Sequence, residues 1–305
     1  MENTYKGNKN NSCMGAYKDT LDIKLTDACN GDCAFCIEKG GKLSDASDVQ
    51  SFIDKVKGIN PRSVLVLGGE PFVYPKLVEF IQGISNREIF ITTNGSGLKN
   101  KRIVEQLAPC LTALNISLMH YDMVKHTEVT KVVLKPYHIG EAIEILHKYH
   151  VSVRINVLLL KGYMDNIEDC KKMIDFAEFL GADDIRFSEV QNQPDMYVDA
   201  KLIFKGLNAN PYVDGCEQVL SNNKIKVIVK QTCGLVNCNK KDGITVSNTT
   251  RANFVNAGVL YPDLLHSPDG WVVKNSDPDC HSTGCHKTTS SGGCSYVPSR
   301  SSGGC

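Results

Sequence analysis

The chain has 305 residues, with 34 basic side chains against 34 acidic ones and 42% apolar residues. That length and apolar content support one large packed domain plus an appendage, and they exclude disorder throughout. A zero formal net charge gives no electrostatic footprint for nucleic acid, and the longest apolar stretches, such as Val157–Leu160, are far too short to span a bilayer.

The first 18 residues are polar, lack the apolar core of a signal peptide, and read as a flexible tail. The expectation is a cytoplasmic chain with reduced thiols and neither a membrane nor a nucleic-acid partner. Its 13 cysteines, an odd number, then read as metal ligands, catalytic thiols or buried apolar residues rather than a disulfide frame.

From residue 21 to 190, β-rich runs alternate with amphipathic ones. Strand Leu21–Thr26 is followed by helix Ser47–Lys57, strand Ser63–Leu67 by helix Lys76–Ile84, and strand Glu88–Thr93 by helix Asn100–Leu107. Strand Ala113–Leu118 precedes helix Gly140–His150, strand Val151–Leu159 precedes helix Asn166–Leu180, and strand Asp184–Val190 closes the series. Several strands read as continuous apolar runs, as parallel strands covered on both faces do. In the last helix Cys170, Met173, Ile174, Ala177 and Leu180 share one face, and Gly181 is a natural stop.

Six strand–helix repeats predict an α/β fold with right-handed crossovers. A partial (β/α)6 barrel over residues 19–205 and a doubly wound open sheet both fit this count. Either arrangement places ligands at the carboxyl ends of the strands. Beyond residue 205 Asn, Gly, Pro, Ser and Cys rise, so residues 206–288 read as a small, irregular, Cys-rich C-terminal domain with short strands near Ile225–Lys230 and Trp271–Lys274. Residues 289–305 are a Ser/Gly-rich tail, in which SSGGC occurs at 290–294 and again at 301–305; such a composition buries no core and predicts flexibility.

The strongest chemical signal is Cys29, Cys33 and Cys36, a CxxxCxxC directly after the first strand. Three thiolates on one short loop suit three irons of a [4Fe–4S] cluster and leave the fourth iron open, as a catalytic cluster requires. A partial zinc site is the competing reading, but zinc ordinarily takes four ligands with cysteines paired as CxxC.

The motif, with the aromatic Phe35 before its third cysteine, resembles the signature of the radical S-adenosylmethionine (SAM) superfamily. Gly68-Gly69-Glu70-Pro71 at the end of the second strand is similar to that family's GGEP motif. Thr92-Thr93-Asn94-Gly95, Asn115-Ile116-Ser117-Leu118 and Arg154-Ile155-Asn156-Val157 follow on the third, fourth and fifth strands. The ordered set resembles the molybdenum-cofactor GTP cyclase branch and the peptide-modifying radical SAM enzymes with a C-terminal extension.

The resemblance implies a [4Fe–4S] cluster on Cys29, Cys33 and Cys36, and SAM chelated by the open iron. It implies cofactor contacts from Phe35, Gly68, Gly69, Glu70, Asn94, Ser117 and Asn156, with Arg154 pairing a carboxylate. It implies reductive cleavage of SAM to a 5′-deoxyadenosyl radical, fed by an electron donor such as flavodoxin or ferredoxin. Hydrogen would then be abstracted from a peptide substrate or, alternatively, from a small-molecule or nucleotide substrate of cofactor biosynthesis.

Relatives with such an extension also carry auxiliary clusters, and Cys216, Cys233, Cys238, Cys280 and Cys285 are the candidates for a second Fe–S or a zinc site, although their CxxxxC spacings depart from the family's patterns. His120, after the fourth strand, is the best-placed histidine for a substrate contact, with packing as the competing role. Cys110 and Cys170 read as core residues.

Overall fold

Short Ile- and Val-rich strands separated by capped amphipathic helices leave little choice but a sheet faced by helices. The computed structural model describes residues 20–36, 48–190 and 193–205, and the segments 209–214, 217–220, 225–230, 254–256, 259–261, 286–287 and 294–295. The elements run β1 (Thr20–Lys24), α1 (Val49–Ile59), β2 (Ser63–Leu67), α2 (Leu77–Gly83), β3 (Glu88–Thr93), α3 (Lys101–Leu107) and β4 (Ala113–Ser117). Next come α4 (Met123–Thr130), α5 (Pro136–Lys148), β5 (Ser152–Leu159), α6 (Ile167–Phe179), β6 (Asp184–Glu189) and α7 (Ala200–Ile203). The C-terminal region contributes β7 (Ala209–Asp214), β8 (Glu217–Leu220), β9 (Lys226–Lys230), β10 (Phe254–Asn256), β11 (Val259–Tyr261), β12 (His286–Lys287) and β13 (Cys294–Ser295).

The main sheet has the order β11-β10-β1-β2-β3-β4-β5-β6-β9-β8-β7. Strands β1 to β6 therefore follow one another without a reversal. A doubly wound sheet needs a switch point where the order turns back, and strands β1 to β6 show none, so right-handed crossovers carry α1, α2, α3, α5 and α6 to the same side. The arrangement is the winding of a partial barrel.

Strands β7 to β11 of the C-terminal region join this sheet, while β12 and β13 pair only with each other. β10 pairs parallel with β1 and β9 parallel with β6, which satisfies the backbone groups that an open parallel sheet leaves exposed at its edges. Predicted strand Trp271–Lys274 and the candidate ligands Cys216, Cys233, Cys238, Cys280 and Cys285 lie outside the described residues. From the tail, Cys294–Ser295 pairs antiparallel with His286–Lys287 of the preceding region.

The strands also alternate more strictly than their apolar runs predict. One parity (Ile23, Val66, Ile91, Ile116, Ile155, Phe187, Val229) is buried in the main core together with the helices. The other parity, facing away from that core, carries Asp22, Lys24, Thr92, Asn115, Ser117, Arg154, Asn156, Arg186 and Ser188. That second, more polar surface lines the inside of the barrel and defines where a ligand can lie.

Helix α4 has no counterpart in the periodicity reading. Asp122 caps it by accepting from the Val124 amide at 2.8 Å, but two of the residues it buries are His126 and Thr130, so its inward stripe does not look apolar. His126 accepts from the Met119 amide through Nδ1 at 3.1 Å and has a buried, unpartnered Nε2. Burial, reinforced by the neighbouring His120, pushes the imidazole down from 6.5 to about 4.

The neutral ring therefore belongs to the fold, and the unfolded chain binds the extra proton. The contribution of His126 is complete above its ordinary pKa of 6.5 and is lost as pH falls through about 4. We expect the melting temperature to drop across that window, and His126→Asn, which keeps an acceptor for the Met119 amide, to flatten the drop. Equal slopes for the two proteins would refute the assignment.

Candidate metal and cofactor site

The loop carrying Cys29, Cys33 and Cys36 leaves the carboxyl end of β1 and is held on both flanks. At its base the Lys24 ammonium meets the Asp27 carboxylate at 2.6 Å, both side chains almost fully buried. Thr26 Oγ1 accepts from the Ala28 amide at 3.0 Å. From β2, the Gly69 amide donates to the Thr26 carbonyl at 2.7 Å and the Glu70 amide to the Ala28 carbonyl at 2.9 Å.

From the other flank, the last carbonyls of α4 accept from the loop. Asp32 N–H reaches Thr130 O at 2.9 Å and Ala34 N–H reaches Val129 O at 3.0 Å, while the Cys33 thiol lies 3.6 Å from the same Thr130 oxygen. Helix-end carbonyls normally left to water are used here to shape a ligand loop.

The glycines are required by this closeness. A Cβ on Gly69 would stand 2.3 Å from the Ala28 carbonyl oxygen and 2.6 Å from that of Asp27, and Gly68 has φ +139° with its Cβ position 2.4 Å from Thr26 O. Gly31 is equally confined, its Cβ position lying 2.8 Å from Val132 Cγ2.

Glu70 does not face a ligand. Its side chain is wholly buried, and it accepts from the Phe72 amide at 3.0 Å, from Thr93 Oγ1 at 2.6 Å and from the Asn94 amide at 2.5 Å. Burial pushes its carboxyl above the ordinary range, against the pull of those donors. The role expected of it as a cofactor contact is replaced by that of a clamp tying the end of β2 to the end of β3. Asn94, placed by that clamp, donates to Asn30 Oδ1 at 2.9 Å and lies 4.0 Å from Cys29 Sγ.

The three thiols perturb one another. Burial pushes Cys33 up to about 12, and the neighbouring Cys36 and Cys29 add to the shift, because a second thiolate beside the first is repelled. Cationic iron reverses that penalty, which is the usual coupling of metal binding to thiol deprotonation. Among the described residues no three His, Cys, Asp or Glu side chains are grouped tightly enough to hold a single metal ion. The donor set, three thiols on one short loop, fits a cluster that leaves one iron open.

Around this loop the structure sorts the other expected residues. Phe35 packs on a small apolar group made by Met119, Val129, Leu160 and Val190, with Tyr163 and Met196 beside it. Ser117 and Asn156 are register partners across β4 and β5 on the inner surface. The Oδ1 of Asn156 is buried without a hydrogen-bond partner, an atom with a donor still to meet.

Arg154 is different. It sits near the amino end of β5, and its Nε and NH2 pair with Asp184 of β6, so the expected ligand carboxylate is already replaced by one from the protein. His120 is fully buried, its Nδ1 accepts from the Asp122 amide at 2.9 Å, and its ring packs on Tyr121. The packing role expected of it is present, and its Nε2 is buried without a hydrogen-bond partner.

Sequence patterns missed Asn30 and the α4 carbonyls, because a backbone acceptor has no residue-type signature. They also missed Arg186, which stands beside Asn156 in register on the inner surface; a charged residue inside an apolar strand was the available signal.

A partial, singly wound α/β barrel with a three-thiol loop at its strand ends defines the class: an α/β-barrel protein with the donor set of a cluster site. Residues 23–177 match the sequence model of the Radical SAM superfamily, and the chain belongs to that family, whose members use a [4Fe–4S] cluster and SAM.

Among its relatives, "Molybdenum cofactor biosynthesis protein moc-5" of Caenorhabditis elegans is 31% identical over 184 residues, 55% of this chain and 29% of that one. A GTP 3',8-cyclase of Clostridium perfringens is 30% identical over 183 residues, 56% of this chain and 55% of that one. The chain thus spans about half or less of these relatives' length. The crystal structure of Streptococcus suis SuiB is similar in fold, with a TM-score of 0.47 and 23% identity over 56% of this chain and 40% of that one.

Two substitutions test the clamped loop. Gly69→Ala should push the loop off Ala28 and lower the iron bound per chain while the far-ultraviolet circular dichroism stays native; full iron content would refute the close-approach argument. Glu70→Gln puts an amide where the carboxylate accepts from three donors, so unfolding free energy should fall by about 1–3 kcal/mol, as read from denaturant titration.

Proposed function

We propose that this chain is a radical SAM enzyme whose Cys29, Cys33 and Cys36 hold the cluster and whose barrel interior holds SAM. The observation that carries the reading is the loop itself, three thiols presented at the end of β1 and pinned from β2 and from α4. When bound, the two groups supply a reductively generated 5′-deoxyadenosyl radical that takes hydrogen from a substrate.

The chain's own residues do the positioning. Gly68 and Gly69 keep the strand end free of side chains beside the loop, and Asn94 holds Asn30 over it. Ser117 and Asn156 offer hydrogen bonds from β4 and β5, and Phe35 with Met119, Leu160 and Val190 supplies an apolar wall that excludes water from a reactive radical. Neither His120 nor His126 is placed to move a proton. An auxiliary cluster on Cys216, Cys233, Cys238, Cys280 and Cys285 remains part of the proposal.

For the substrate, a peptide is the first reading. It is supported by the sheet's two end strands: among the described residues β7 and β11 each pair on one side only, and an unpaired strand edge is a template for an extended chain. A nucleotide-derived substrate is the second reading, supported by the relatives named GTP 3',8-cyclase and by Arg186 on the barrel interior.

Anaerobic reconstitution with SAM and dithionite should give about four irons per chain for the core site, or about eight with an auxiliary cluster, and 5′-deoxyadenosine should form. Replacing any one of Cys29, Cys33 or Cys36 by Ser should abolish it. Stimulation of deoxyadenosine release by GTP but by no Cys-containing peptide would overturn the peptide reading, and no deoxyadenosine under strong reduction would overturn the enzyme assignment.

A further inference from the structure

A cluster buried at a barrel mouth needs an electron from outside, and the side facing the barrel interior is reserved for SAM and substrate. The segment that follows α4 offers a second approach. Its Thr130 carbonyl touches the cluster loop at Asp32 N–H and Cys33 Sγ, and Val132 packs where Gly31 has no side chain. The next residue, Val133, is 75% exposed, and Tyr137 is 56% exposed.

An apolar residue this open, one position from the wall of a metal-ligand loop, is not explained by the core. Lys131 and Lys135 flank it, both exposed, and the Lys135 ammonium lies over the Tyr137 ring at 5.9 Å. The turn Ser96–Lys99 adjoins the same rim, since the Cβ position of Gly95 lies 3.5 Å from Leu134 Cδ1, and it adds the exposed Lys99. Asp32 of the loop and Glu128 of α4 are exposed carboxylates nearby, outnumbered by the three lysines. On a chain with no net charge this is a local basic rim around an apolar centre.

We propose that the Lys131–Tyr137 segment, with Lys99, is the docking surface for an acidic, flavodoxin-type electron carrier. The proposal rests on the reading of Cys29, Cys33 and Cys36 as cluster ligands. Its charge complements a carboxylate-rich partner and steers the encounter, while Val133 and Tyr137 meet the apolar edge of a surface flavin. Electron tunnelling falls off exponentially with distance, and among the described residues Thr130 and Val132 link this surface directly to the loop. The reduced flavin gives up one electron, the cluster held by the three thiols takes it up, and no bond of the chain is made or broken.

The test uses the reconstituted chain and an acidic flavodoxin, with the dissociation constant read by calorimetry at low and at raised salt. Wild type should bind, more weakly as salt rises, and Lys131→Glu/Lys135→Glu should weaken binding by about tenfold or more. The control Lys57→Glu/Lys148→Glu, in the last turns of α1 and α5 at the opposite end of the barrel, should bind as wild type does.

Deoxyadenosine formation driven by dithionite needs no carrier and should persist in both variants. Its absence in wild type would defeat the cluster reading, not the docking surface. Should Lys131→Glu/Lys135→Glu lose it, Val133→Asp/Lys135→Glu, which spares the α4 cap, is read by the same dissociation constant. Unchanged affinity in the patch variants, equal loss in the control, or binding of an acidic ferredoxin but no flavodoxin would overturn the proposal.

Discussion

The buried carboxylate of Glu70 is the constraint on which the site depends. It collects two backbone amides and one hydroxyl from the end of β2 and the end of β3, and it does so at a position that water does not reach. A charge there costs solvation, and the three donors offset that cost only while both strand ends stay in register. Because Gly69, Glu70 and Asn94 each bond to the thiol loop as well, the clamp sets the position of the cysteines without touching a ligand.

The same loop is fixed from the other side by α4, and the two supports differ in chemistry. On the β2 side the contact is backbone against backbone, which only glycine permits. On the α4 side the loop uses the helix's terminal carbonyls, so the length of α4 decides where Asp32 and Ala34 sit. That helix buries His126 against His120 of the segment before it, and the lowered basicity of both rings follows from burial. Support of the metal loop and a sensitivity to acid thus come from one short element.

Much of this was legible in the residues. The six strands of the barrel are found within a residue or two of where alternating β-rich and amphipathic runs put them, and β2 and β3 coincide at both ends. The cysteine loop, Gly68-Gly69 and Asn94 do come together. What failed has physical reasons. Arg154 looked available to a ligand because its partner Asp184 is 30 residues away, and Glu70 looked like a cofactor contact because a motif does not show which way a carboxylate turns. α4 was hidden by a histidine and a threonine on its buried stripe.

By itself the sequence determined the strand–helix rhythm, the thiol spacing after the first strand and the need for glycine beside it, since these depend on residue type and on neighbours a few positions away. Only the tertiary structure decided that the winding never reverses, that strands from the C-terminal region extend the same sheet at both edges, and that Glu70 and Arg154 spend their charges on the protein. Those outcomes depend on which unpaired backbone edge and which distant charge lie close in space, and no local pattern records either.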